Sequence, residues 1–216
     1  MNEKATELVF ILDKSGSMAG LESDTIGGFN ALVEKQAKEP GEARITTVLF
    51  NHDYELLHDR IPLQGVAPLT EKDYEVGGTT ALLDAIGATI QKIGNAQKRT
   101  SEAERAGRVM FVITTDGLEN ASREYSYEKI KAMIARQKEE YMWEFLFLGA
   151  NIDAIAAAKK FGIAEEFAAE YHADAKGTEL NFKALNQAVS SFRSEQQLDR
   201  SWKKDIEADY EKRKRH

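Results

Sequence analysis

The run Leu8-Val9-Phe10-Ile11-Leu12 is apolar at every position and ends on Asp13. A strand with one wet face alternates apolar and polar residues, so an unbroken apolar run requires cover on both faces, as in the central strand of a parallel sheet between helices. Ile26, Phe29, Leu32 and Val33 fall at helical spacing within Leu21–Lys38, and Pro40-Gly41 ends that pattern. Arg44–Phe50 and Tyr54–Ile61 read as strands joined only by Asn51-His52-Asp53, a link too short for a crossover, which makes the pair antiparallel. Pro62 to Gly78 reads as a loop, after which Leu82, Ile86, Ile90 and Ile93 mark a helix running to about Arg99. Two further buried strands, Arg108–Ile113 and Phe145–Leu148, flank a helix at Tyr127–Tyr141. Ile152, Ile155, Ala156 and Phe161 mark another helix, and Glu166–Tyr171 a short edge strand. A final helix capped by Thr178 carries Leu185, Ala188, Val189 and Phe192 in one stripe. This order predicts an α/β fold: a doubly wound, mostly parallel sheet with one antiparallel edge strand and helices on both faces.

Asp13-Lys14-Ser15-Gly16-Ser17 leaves the end of the first strand. Alternate residues of an extended segment point the same way, so Asp13, Ser15 and Ser17 can turn three hard oxygens toward one point, a donor set suited to a divalent cation. The plainer reading is a Ser-rich turn whose hydroxyls cap the next helix. Gly77-Gly78-Thr79-Thr80 ahead of a helix and Thr114-Thr115-Asp116-Gly117 after a buried strand add a further hydroxyl and a further carboxylate.

With these three segments in this order, the chain resembles the von Willebrand factor A domain family over about residues 5–195. Its metal-ion-dependent adhesion site is assembled from Asp-x-Ser-x-Ser, a Thr following paired small residues, and the Asp of a Thr-Asp-Gly loop. The resemblance implies a Rossmann-like fold and metal-site residues Asp13, Ser15, Ser17, Thr80 and Asp116. Thr79 or Thr80 can fill the threonine slot, and Thr80-Ala81-Leu82-Leu83-Asp84 is the better match. It also implies a metal-dependent protein-binding module, with Mg²⁺ as the cation (Mn²⁺ or Ca²⁺ as alternatives) and an Asp or Glu of a protein partner completing its shell. A switch in which the last helix shifts on binding is a further implication. The expected topology sets Asp13 and Asp116 on neighbouring strands, at the carboxyl-end crevice where doubly wound sheets bind ligands.

A chain of 216 residues suits one domain, expected over residues 1–195, followed by a charged helical arm or tail at residues 196–216. Zero cysteines exclude disulfides, thiolate metal sites and cysteine nucleophiles. No apolar run is long enough for a membrane span and the N-terminus carries no signal-peptide pattern, so the expected compartment is the cytoplasm. A net charge of −7 argues against a general nucleic-acid binder. The basic end, Lys212-Arg213-Lys214-Arg215-His216, is read first as a solvated or frayed segment and second as an arm for nucleic acid or an acidic protein. Phosphate-binding glycine motifs and a Gly-x-Ser-x-Gly elbow are absent, and the chain is expected not to be an enzyme. The competing reading is metal-assisted hydrolysis with Glu119 or Asp84 as base; the plainer roles for these two are bracing the metal loop and the start of the helix. His52 and His58 are expected at the surface, Trp143 in the core, and Trp202 as an anchor for the arm or a contact for a partner.

Overall fold

The computed structural model describes residues 2–195 and 198–214. Six strands form one sheet in the order β3-β2-β1-β4-β5-β6. They are β1 (Asn2–Asp13), β2 (Glu42–Phe50), β3 (Tyr54–Pro62), β4 (Ala106–Thr115), β5 (Glu144–Ala150) and β6 (Ala168–Tyr171). Only the β2–β3 pair is antiparallel, as its short link requires. The expected α/β architecture is the one observed.

Leu8 through Leu12 are all fully buried. Leu8, Phe10 and Leu12 pack with residues of α1 (Glu22–Ala37) and α5 (Ala175–Glu195), while Val9 and Ile11 pack with α2 (Leu82–Arg99), α3 (Tyr127–Tyr141) and α4 (Ala154–Lys160). Alternate side chains of one strand thus supply both cores, and each large apolar side chain removed from water contributes about 1.5–3 kcal/mol. Trp143 is buried as expected, stacked on Phe111. Among the described residues no helix is long and apolar enough to cross a membrane.

Three expectations give way to packing. Thr178 does not cap the last helix: α5 begins at Ala175, the Asp174 carboxylate accepts from Gly177 N at 2.8 Å, and Thr178 is buried within the first turns. His58 is not a surface group. It is buried, hydrogen-bonded to Thr47 Oγ1 and the Ala67 carbonyl at 3.0 Å each, and stacked on Phe29; burial lowers its pKa. The charged end of the chain is a docked helix rather than a solvated one. Trp202 and Ile206 are buried, and the indole N–H of Trp202 donates to Glu166 O at 3.0 Å. Lys203 Nζ donates to Glu165 O and Ala168 O at 2.8 and 2.9 Å. On α6 (Lys204–Lys214), Arg213 pairs with Asp174 and, at 2.6 Å, with Asp209. Arg215 and His216, the end of the basic run, lie outside the described residues.

Candidate metal centre

β1 and β4 lie side by side in a register that sets Leu12 opposite Thr114, so the loops leaving both strands meet at one rim of the sheet. There Thr115 Oγ1 donates to Asp13 Oδ2 at 2.5 Å, and Ser15 N donates to Asp13 Oδ1 at 2.7 Å. The Tyr74 hydroxyl donates to the Asp13 carbonyl. The Asp13–Ser17 loop is also held by main-chain bonds: Lys14 N to Phe50 O at 2.7 Å, Gly77 N to Lys14 O at 2.9 Å and Gly16 N to Gly78 O at 3.1 Å. Gly78 has a φ of +79°, and a Cβ there would collide with His52 Nδ1 at 2.2 Å, so the second of the paired glycines answers a backbone need.

The serines do not cap a helix, contrary to the plainer reading. α1 has no side-chain cap, nor does the short turn Gly16–Met18. Ser17 Oγ instead donates to Asp116 Oδ1 at 2.5 Å and lies 3.2 Å from Ser15 Oγ. A methyl group built on Gly117 would stand 3.0 Å from Thr80 Oγ1, 3.2 Å from Ser17 Oγ and 3.8 Å from Ser15 Oγ. Hydroxyls from two loops therefore surround one small space beside the third loop. Thr80 is buried and turned into this space, whereas Thr79 is exposed. Of the two candidates for the threonine slot, the fold brings Thr80 inward.

Asp13 and Asp116 are both buried, and Asp116 Oδ2 has no hydrogen-bond partner. Burial raises the pKa of each, against the hydrogen bonds from Thr115 and Ser15 at Asp13 and from Ser17 at Asp116; the Asp13 charge raises Asp116 further. No lysine, arginine or histidine relieves this concentration of negative charge among the causes acting on either group. Two carboxylates, an unpartnered buried oxygen and three convergent hydroxyls fit a hard divalent cation. Among the described residues no three His, Asp or Glu side chains gather into a metal-binding group, so hydroxyl oxygens are essential to any such set here.

A second layer holds Thr80 in place. Asn120 Oδ1 accepts from Thr80 N at 2.9 Å, and Asn120 N donates to Thr80 O at 3.1 Å. Glu119 accepts from Leu83 N, Ala121 N and Ser122 N at 2.7–2.9 Å. Asp84 answers from the helix side, accepting from Arg123 N, Glu124 N and Tyr125 N at 2.8–3.0 Å. Both carboxylates are thus occupied in tying the start of α2 to the loop after β4. Asp84→Ala should cost about 1–2 kcal/mol in chemical denaturation and speed amide exchange at residues 123–125; unchanged exchange there would show that the brace is not needed.

Tyr74, Thr115, Asn120 and Asn51, which donates from its side chain to Gly77 O at 2.8 Å, were not candidates from sequence. Thr115 carried a faint signal, standing between Thr114 and Asp116 at a strand end. Tyr74 carried none, because a lone aromatic in a polar loop does not say which carbonyl it meets.

The sequence matches no protein-family model and no curated protein. Solved structures do match the fold. The mussel byssus proximal thread matrix protein 1 with a zinc-occupied MIDAS motif is similar at TM-score 0.61 and 10% identity, over 86% of this chain and 48% of that one. The ArnB paralog VWA2 of Sulfolobus acidocaldarius gives 0.55 and 20%, over 86% and 45%. Von Willebrand factor type A from Catenulispora acidiphila gives 0.60 and 14%, over 86% and 42%. The chain spans about half the length of these proteins, and the likeness is one of fold.

Proposed function

This chain has the von Willebrand factor A fold, and we propose that it serves there as a divalent-metal-dependent protein-binding module whose cation is held by Asp13, Ser15, Ser17, Thr80 and Asp116. The observation that carries the proposal is the convergence of the Ser15, Ser17 and Thr80 hydroxyls beside Gly117, next to the unpartnered Asp116 oxygen. Bound there, a divalent cation supplies a Lewis-acidic centre whose remaining position can be completed by a carboxylate of a second protein. Mg²⁺ suits an all-oxygen set with hydroxyls, and Mn²⁺ and Ca²⁺ are the alternatives. The zinc-occupied MIDAS motif of the mussel protein supports divalent-metal binding on this fold.

Asp13 and Asp116 would neutralise the cation's charge and no more. The hydroxyls would add weak neutral donors, leaving acidity for an outside ligand. Thr115, Tyr74 and Asn120 would hold the donors in place before the cation arrives, which limits the ordering cost of binding. A binding role is favoured over hydrolysis because Glu119 and Asp84, the two candidate bases, are committed to main-chain N–H groups. A protein partner is favoured over nucleic acid because Arg213, within the basic run, is engaged by Asp174 and Asp209. A cysteine-free chain needs no oxidising compartment, and the cytoplasm is the proposed setting.

Calorimetric titration of the full chain with Mg²⁺ tests the metal reading. At a free concentration about 100 times Kd, stabilisation of about 2.7 kcal/mol is expected. Its pH dependence has a definite sign. With folded pKa values above the unfolded ones, Asp13 and Asp116 destabilise the metal-free protein increasingly as pH rises from the ordinary carboxylate range through their raised values. The bound cation needs both ionised, so the Mg²⁺-induced rise in Tm should be full at neutral pH and shrink as pH falls through that window. A shift that is absent at neutral pH, or that grows on acidification, defeats the assignment. The partner is sought by affinity capture from native extract with Mg²⁺ and with EDTA; capture indifferent to chelation would speak against a metal-bridged contact.

A further inference from the structure

Leu118 is 65% exposed, one of four exposed large apolar residues among those described. It stands between Gly117, which borders the Thr80, Ser17 and Ser15 hydroxyls, and Asn120, which is bonded to the Thr80 backbone in both directions. Gly117 is tied at its N–H and its carbonyl to Thr115 Oγ1, at 3.2 and 3.1 Å. The Glu119 carboxylate, next along the chain, accepts from the N–H groups of Ala121 and Ser122. Leu118 is thus held at the rim of the candidate metal centre by a loop pinned on both sides, and a contact made there carries a small ordering cost.

A single exposed leucine is ordinary on a protein surface, so its surroundings decide what it can do. The exposed residues of the neighbouring loops, Gly16, Ala19, Gly20, Gly78 and Thr79, are small and uncharged. Lys14 is the one lysine or arginine in residues 13–20, 77–80 and 116–120, and its side chain is 12% exposed with Nζ on Glu55 at 2.5 Å. His52, which abuts Gly78, has Asp53 at 3.4 Å, and Glu22 accepts from Gly20 N at 2.7 Å. These loops therefore offer an outside molecule close approach and one large apolar side chain but, a bound metal apart, no unpaired cation.

On the metal reading above, from which this follows, we propose that the partner's carboxylate is a single Asp or Glu flanked by an apolar side chain, and that Leu118 receives that side chain. Phosphate groups and acidic runs are recognised by lysine and arginine, which answer each further charge. Here those further charges would face a chain of net charge −7 with only the metal to meet them. A lone carboxylate is met by the cation. Its apolar neighbour covers Leu118, removing both from water, and a covered leucine is worth about tenfold in affinity. The two contacts differ in kind: the first is lost with the metal, the second with the leucine.

The test uses the full chain with Mg²⁺, titrated with acetyl-Leu-Glu-Leu-amide, acetyl-Gly-Glu-Gly-amide, acetyl-Glu-Glu-Glu-amide and acetyl-Leu-Gln-Leu-amide. Methyl resonances of Leu118 are followed by NMR, and Mg²⁺ alone is titrated by calorimetry beside them. The leucine-flanked glutamate should bind about tenfold tighter than the other three peptides, shift the Leu118 methyls and be released by EDTA. Leu118→Ser should remove its preference over the glycine-flanked peptide, and Leu118→Met should retain it. Equal binding of the leucine- and glycine-flanked peptides, tightest binding of the triple glutamate, or a preference that survives Leu118→Ser overturns the partner assignment and leaves the metal reading intact. So does undiminished binding in EDTA or of the glutamine peptide, or no peptide binding to the Mg²⁺-loaded chain. Failure of Mg²⁺ alone to bind overturns both.

Discussion

Asp13→Asn is expected to weaken Mg²⁺ binding by at least about 100-fold, the upper end of what loss of a mere outer-layer partner produces. The substitution removes one of two charges that would face the cation while keeping the shape of the side chain. The acceptor for Ser15 N survives in the amide oxygen, so the loop keeps its main anchor. Stability offers a check on the cause. Burial pushes the Asp13 carboxyl pKa up, which means that its charge is disfavoured in the metal-free fold. The neutral variant should therefore unfold, without metal, at a denaturant concentration equal to or above that of the parent, and should gain nothing from Mg²⁺. Paired calorimetric titrations and urea melts decide the matter. Undiminished affinity in the variant would remove Asp13 from the metal site, and a large fall in metal-free stability would make its role structural.

Gly177→Ala is expected to destabilise the protein by about 3 kcal/mol or more, at or beyond the upper end of overpacking costs. A Cβ at this position would fall 2.0 Å from the His172 carbonyl oxygen and 2.9 Å from its carbon. Both are backbone atoms of the segment between β6 and α5, which cannot rotate away as a side chain can. Relief requires α5 to lift from that segment, and α5 carries Phe182, Leu185, Val189 and Phe192 into the core. The same segment is gripped by α6, where His172 stacks on Tyr210 and Arg213 pairs with Asp174. Urea denaturation reads the loss, and hydrogen exchange should show it concentrated in α5 and α6. A variant with parental stability would mean that this approach is looser than the geometry states.

Gly177 also illustrates why part of the fold was legible and part was not. In sequence it stands just before a helical stripe, where a glycine followed by threonine resembles a boundary, and Thr178 was accordingly expected to cap the helix. The helix instead starts two residues before Gly177, because Asp174 supplies the cap and the glycine is needed for a contact with a carbonyl five residues earlier. Local pattern carries no record of such an approach. His58 failed for a similar reason: its neighbours in sequence, Leu57 and Asp59, do not say whether it is covered, and Phe29, from another element, covers it. The C-terminal segment reads as solvated because charged residues dominate it, yet Trp202 and Ile206 are buried and Leu198 packs against the same core. The meeting at one sheet rim of the loops that carry Asp13, Ser15, Ser17, Thr80 and Asp116 was legible because strand ends are visible in apolar periodicity, while their joint role as a metal-site set came from the family resemblance and stands as a proposal.

The sequence by itself determined the sheet: an apolar run with no polar face must be covered twice, a three-residue link must reverse direction, and parallel strands must be joined by helices. From those constraints the meeting of the Asp13 and Asp116 loops follows, as does the chemical character of their oxygens. Only the tertiary structure decided which threonine turns inward, that Glu119 and Asp84 are consumed by main-chain N–H groups, and that Tyr74 and Thr115 hold Asp13. The division is physical. Periodicity and turn chemistry act between residues near in sequence, whereas hydrogen-bond partners and vacant space are set by distances among segments that meet only after the chain has folded.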